Sequence, residues 1–245
     1  MPWDYVETVE HPEEFERGLA QLYTDLTSMA TLLGDIPSKW VWRINQELVE
    51  LKMWQCAQMF DAAQLADVFR KRAIAGGTGL GHDHAPLGEL LKSVFDSGNY
   101  PCASASANIL LSGLIQTLLR HIGAVSRNPA DQTIAAFGVQ DVSRSIAYGI
   151  GHMQYLLEQR PHEAAGIGGH LDEVENALVG LLAAPIFIST LALTTAGKRS
   201  DAGAAVPAVI SVYRRFYEEH AARRRAAGIA SEASPLDDFV RELEA

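Results

Sequence analysis

The sequence predicts an all-α fold, a four-helix bundle of long helices with additional C-terminal helices, on three observations. Apolar residues recur at spacings of three and four along most of the chain. Sustained period-two alternation and Asn-Gly or Asp-Gly hairpin turns are nearly absent. Proline and glycine fall mostly between the long periodic stretches rather than inside them. The 245 residues are 48% apolar and 20% charged, a globular composition with enough chain for one large core. A net charge of −10 argues against nucleic-acid binding, which needs a basic surface. Two cysteines, Cys56 and Cys102, are too few for a disulfide framework or a cysteine-based zinc site. The start, Met1-Pro2-Trp3-Asp4-Tyr5, has no basic and apolar leader, so a cytoplasmic, soluble protein is expected.

The first helix opens at His11-Pro12-Glu13-Glu14, with proline and acids in its first turn. Phe15, Leu19, Leu22, Leu26, Met29, Leu32 and Leu33 mark its apolar face, and Gly34 to Ser38 is expected to end it. A second helix is expected from Trp40 to the break at Gly76, with Ile44, Leu48, Leu51, Gln55, Gln58, Ala62, Leu65 and Phe69 on one face. The glycine-rich segment 76–88 reads as a helix cap and flexible loop, because it follows a helix and no Lys-Ser or Lys-Thr ends it. A short helix (87–95) precedes the turn Asp96 to Pro101. Long helices follow at about 103–124 and 130–159, separated by Ser126-Arg127-Asn128-Pro129. One or two helices occupy 162–197, another 206–227, and the tail 229–245 is expected to be peripheral. The whole, 1–245, is a single domain with its core at about 12–160 and C-terminal helices at 162–228.

The uncharged stretch 177–197 approaches the length of a membrane span. Pro185 and the hydroxyls of Ser189, Thr190, Thr194 and Thr195 favour a buried helix pair instead, so no membrane is expected.

Two segments on the second and fourth long helices are alike. Asp61-Ala62-Ala63-Gln64-Leu65 and Asp141-Val142-Ser143-Arg144-Ser145 both open on aspartate, with a polar residue three positions on. With Asn108 to Leu114 on the third helix, this pattern resembles the ferritin-like di-iron carboxylate superfamily, in particular its oxygenase and ribonucleotide-reductase small-subunit branch. That branch carries Asp-Glu-x-Arg-His twice, so that a carboxylate and an imidazole share one helical face and reach one iron. The resemblance covers about residues 40–160, and it implies a ferritin-like bundle. At the implied ligand positions this chain holds Ala62, Leu65, Ser112, Val142 and Ser145, none of which replaces a carboxylate or imidazole at iron. The resemblance therefore implies a degenerate member with no metal, no cofactor and no catalytic residue. Asp61, Gln64, Asp141 and Arg144 are the candidates for a polar network standing where the metal centre was.

Other residues of metal-binding type are read as structural. Glu47 and Glu50 lie one turn apart without a histidine, and His82-Asp83-His84 lacks a further ligand. His121 and His152 read as hydrogen-bonded helix histidines, and Arg223-Arg224-Arg225 as cations at a helix C-terminus.

The expected function is a non-catalytic ferritin-like subunit that supports its own copy or a catalytic paralogue, as a homo-dimer or hetero-oligomer. Trp40, Trp42, Met53, Trp54 and Met59 crowd the second helix on more than one face, which a partner would cover. The alternatives are an active non-haem di-iron oxygenase with displaced ligands (Glu47, Glu50, Glu173 or His152), or a small-molecule binder using the former metal cavity.

Overall fold

The computed structural model describes residues 11–229 and 234–244, and among them it holds nine α-helices and no strand. Helix α1 (Glu13–Trp40) begins as expected, with Glu13, Glu14 and Glu16 in its first turn. It does not stop at Gly34. Gly34 faces α2 (Val49–Ala75), where a Cβ would sit 3.6 Å from that of Ala62, so this glycine serves close helix packing. Pro37 lies near the C-terminal end, where its missing N–H costs the helix a single bond. The second helix accordingly starts later than the sequence predicts. A 3₁₀ turn (Val41–Arg43) leads into Asn45, whose Oδ1 accepts from the Glu47 N–H at 3.1 Å. That side-chain turn competes with helix formation and holds the chain out of it.

Residues 76–84 are a pinned segment, which corrects the expectation of a flexible loop. Gly77 and Gly79 take φ values of +77° and +79°, a region that glycine enters without a Cβ penalty. The Gly81 N–H donates to Thr24 Oγ1, and the Gln21 amide pairs with both backbone groups of His82. His84 Nε2 lies 3.3 Å from the buried Asp25.

After α3 (Ala85–Phe95), Asn99 caps α4 (Tyr100–Val125), which contains a π-helical stretch at Ala105–Leu111. This helix is long and apolar enough to cross a membrane, but its whole apolar window lies inside the protein. Asn128 caps α5 (Pro129–Gln159), with proline in the favoured first position. The stretch 177–197 divides between α6 (Ala164–Leu182) and α7 (Pro185–Ala196), and the two segments bend by 61° at the break. Helix α8 (Val206–Ala226) ends before Gly228 at φ +75°. The tail is not peripheral throughout: α9 (Pro235–Glu244) buries Leu236 and Val240 against α6 and α8.

The architecture is two antiparallel hairpins, α1/α2 and α4/α5, packed together. Glu16 meets Arg72 and Gly34 meets Ala62 in the first; Asn108 meets Gly149 and Leu119 meets Gly138 in the second. Cross-hairpin ties join α2 to α5 and α2 to α4, and α6 to α9 cover the remaining flanks of α1, α3 and α4. One hydrophobic cluster runs through bundle and C-terminal helices alike.

Candidate functional site

The inward face of α2 carries Gln55, Gln58, Ala62, Leu65, Phe69 and Arg72 at spacings of three and four. Its opposite numbers are Tyr100, Ser104, Asn108 and Ser112 on α4, and Asp131, Gly138, Val142, Ser145, Gly149 and His152 on α5. Along the bundle axis these residues make three zones of different chemistry.

The middle zone holds the positions that the ferritin-like resemblance marks. Ala62, Leu65, Ser112, Val142 and Ser145 are all buried, each on a core-facing side of its helix. Ser112 Oγ donates to the Ala107 carbonyl at 3.0 Å, back across the π-helical stretch. Gly138 brings α5 close: a Cβ there would lie 2.7 Å from Leu119 Cδ1 and 3.5 Å from Leu65 Cδ2. Among the described residues no group of three or more His, Cys, Asp or Glu side chains is placed to hold a metal ion. Glu47, Glu50 and Glu173, the alternative ligands, are exposed.

At one end lies a polar and aromatic zone. Gln58 Nε2 donates to Asn108 Oδ1, and Asn108 Nδ2 donates to Ser104 Oγ at 3.1 Å. His152 Nδ1 meets the same Ser104 hydroxyl at 3.2 Å. Gln55 donates to the Tyr100 hydroxyl, which lies 2.6 Å from that of Tyr148. Trp54 stacks on Tyr148 with ring centres 4.9 Å apart, and Tyr148 stacks on His152 at 5.7 Å. Burial moves every titratable group here toward its neutral form. The His152 pKa falls to about 4, and burial pushes both tyrosines upward, Tyr100 further through its contact with Tyr148. The zone is dipolar and uncharged at neutral pH.

At the other end the charges are buried outright. The Arg72 guanidinium is bidentate to Asp131, at 2.6 and 3.0 Å, and bidentate to Glu16, at 2.9 and 3.1 Å. Asp131 also accepts from Tyr23 at 2.9 Å and from Ser126 at 2.6 Å. Burial disfavours the Arg72 charge, but Asp131 and Glu16 hold its pKa above the ordinary arginine value. This cluster joins α1, α2, α5 and the α4–α5 turn.

The polar network expected from Asp61, Gln64, Asp141 and Arg144 is displaced from the interior. Arg144 does bridge both aspartates, at 2.9 Å to Asp61 and 2.6 Å to Asp141. It does so on the outer edge of the α2/α5 contact, with its side chain 50% exposed. Gln64 is exposed as well. The cause is helical phase: with Ala62 and Leu65 inward, the residues just before them are rotated away by 100°. Nor do the tryptophans and methionines crowd one helix: Trp40 is buried at the end of α1, whereas Trp42 and Met53 are exposed. The basic run does stand in the last turn of α8, and there Arg223 and Arg224 are in addition buried and paired.

Sequence reasoning missed Glu16, Arg72 and Asp131. Their signal is an ionisable residue at a core phase of each helix. No family model, no curated protein and no solved structure matches this chain.

Proposed function

We propose that the chain is a ferritin-like bundle without a metal centre, a non-catalytic subunit that pairs with its own copy or with a catalytic homologue. The observation that carries this reading is the middle zone. Three neighbouring helices put alanine, leucine, valine and two serines at the buried positions where such a bundle would keep its carboxylates and imidazoles. The paired-hairpin layout and the π-helical stretch facing that zone support it. A partner role draws on the outer face of α2. Val49, Met53 and Phe60, spaced four and seven residues apart, are 53%, 66% and 63% exposed.

The test is metal content and mass together. Protein produced in iron-replete medium should hold essentially no iron, and should sediment heavier than the 26.6 kDa chain at micromolar concentration. About two irons per chain, the number a di-iron site requires, would refute the reading. A monomer would remove self-pairing and leave only the heteromeric form. The double variant Ala62→Glu/Leu65→His should remain iron-free and lose about 2–4 kcal/mol of stability, since it buries polar groups without partners.

A further inference from the structure

Ionisable side chains lie inside the protein a second time, between α6 and α8, where the proposed function makes no use of them. Asp172 and Glu175 sit one turn apart on α6, and His220 and Arg224 one turn apart on α8. Glu175, His220 and Arg224 are 0%, 2% and 3% exposed. His220 Nε2 lies 2.8 Å from Glu175 Oε1, and Arg224 Nη1 contacts Glu175 Oε1 and, at 2.8 Å, Asp172 Oδ1. Arg224 Nε donates to the Ile229 carbonyl at 3.2 Å.

The polar capacity of this cluster is not used up. Arg224 Nη2, His220 Nδ1 and the carboxylate oxygen Glu175 Oε2 are buried and hydrogen-bond nothing among the described residues. A buried guanidinium with open N–H groups is a costly arrangement unless something else accepts from it. Beside the cluster is a cavity of about 210 Å³, lined by His220 and Arg224 together with Tyr217, Arg225, Ser234 and Asp237. Among the described residues of the lining, two arginines stand with one carboxylate. That carboxylate, Asp237, is already engaged by the Tyr217 hydroxyl and, at 2.9 Å, by the Ser234 N–H.

We propose that this cavity binds a small oxyanion, a phosphate or the carboxylate of a compact organic acid. Arg224, which lines the cavity and has an unpartnered Nη2, donates to one ligand oxygen, and Arg225 supplies a second positive charge. His220 adds the complementary group. A carboxylate only accepts, so the ring nitrogen facing Glu175 carries the hydrogen. Burial, with the neighbouring arginines, lowers the His220 pKa and keeps the ring neutral, which leaves Nδ1 as an acceptor for a ligand hydroxyl. Hydrogen phosphate and hydroxy acids offer an anionic oxygen and a hydroxyl together. The volume lies below the roughly 300–1,000 Å³ of sites for drug-sized ligands, so a nucleotide does not fit.

Calorimetric titration of the full chain with inorganic phosphate in low-salt buffer tests the site. One saturable event per chain is expected, with glycolate competing for it. Arg224→Gln should weaken binding by about tenfold or more, the usual scale for losing a charge-assisted pair. Asp172→Asn should tighten binding instead, because Asp172 competes for the same guanidinium; its carboxylate is 32% exposed, so this variant tolerates the change. A purely structural role for Arg224 predicts no such tightening. Lys71→Gln, on the distant surface of α2, should change nothing. The proposal is overturned if phosphate does not saturate a site, or if Asp172→Asn leaves the affinity unchanged. Binding that survives in a folded Arg224→Gln protein overturns it equally.

Discussion

Replacing Arg72 by methionine removes the centre of the buried charge cluster while keeping most of the side-chain volume. Four hydrogen bonds donated by Arg72 disappear, two to Asp131 and two to Glu16. Breaking a buried ion pair by deleting one partner costs about 3–5 kcal/mol, mostly because the surviving charge is stranded. The two survivors differ here. Asp131 is wholly buried but keeps its bonds from Tyr23 and Ser126, and Glu16, whose side chain is 12% exposed, can turn toward water. Those reliefs place the expected loss at the lower end, about 3–4 kcal/mol. For a chain of this size that corresponds to a fall in Tm of roughly 6–16 °C. Urea unfolding followed by circular dichroism measures it. Arg72→Met/Asp131→Asn should cost clearly less than the sum of its single changes, since the second substitution discharges what the first stranded. A loss below about 1 kcal/mol in Arg72→Met, the level of an exposed pair, would refute the argument.

Three further expectations follow from the same geometry. His121 and His152 have pKa values lowered by burial from 6.5 to about 4, so the unfolded chain binds their protons first as pH falls. Stability should hold above about pH 6.5 and decline toward pH 4, by about 2–3 kcal/mol for each histidine, and His121→Gln should flatten the decline in Tm measured across that range. Gly149→Ala puts a Cβ 2.7 Å from the Asn108 Cβ and should destabilise by about 1–3 kcal/mol; Gly151→Ala, two residues on with open space around it, should stabilise by about 0.5–1 kcal/mol in parallel melts. Arg144→Met, acting on a half-exposed bridge, should lower stability by under about 1 kcal/mol; a loss of 3 kcal/mol or more would return that bridge to the core.

The helical class and most helix ends were legible because proline, asparagine caps and apolar spacing act locally. The α4–α5 boundary at Asn128-Pro129 is one such case. The end of α1 was not legible, because Gly34 answers to Ala62 on another helix rather than to its own neighbours. Within the candidate site, the burial of Ala62, Leu65, Ser112, Val142 and Ser145 follows from helical phase. The partners of the interior polar groups do not. Asp131 stands in the first turn of α5, and its role needs Arg72, which is 59 residues away. Gln55 and Gln58 were legible as face positions, but the bonds to Tyr100 and Asn108 depend on how the two hairpins dock.

The same docking sets the order in which the molecule can assemble. Each hairpin is closed by a short connector and can form from local contacts. The Arg72 cluster instead joins residues separated by 56, 59 and 108 positions, so it completes only after both hairpins are in place. Its bonds therefore belong to the native side of the folding barrier, and their strength slows escape from the folded state without hastening arrival. Helices α1, α2 and α5 and the turn between α4 and α5 are locked in one event. The lifetime of the native protein, more than its rate of formation, is what this arrangement governs.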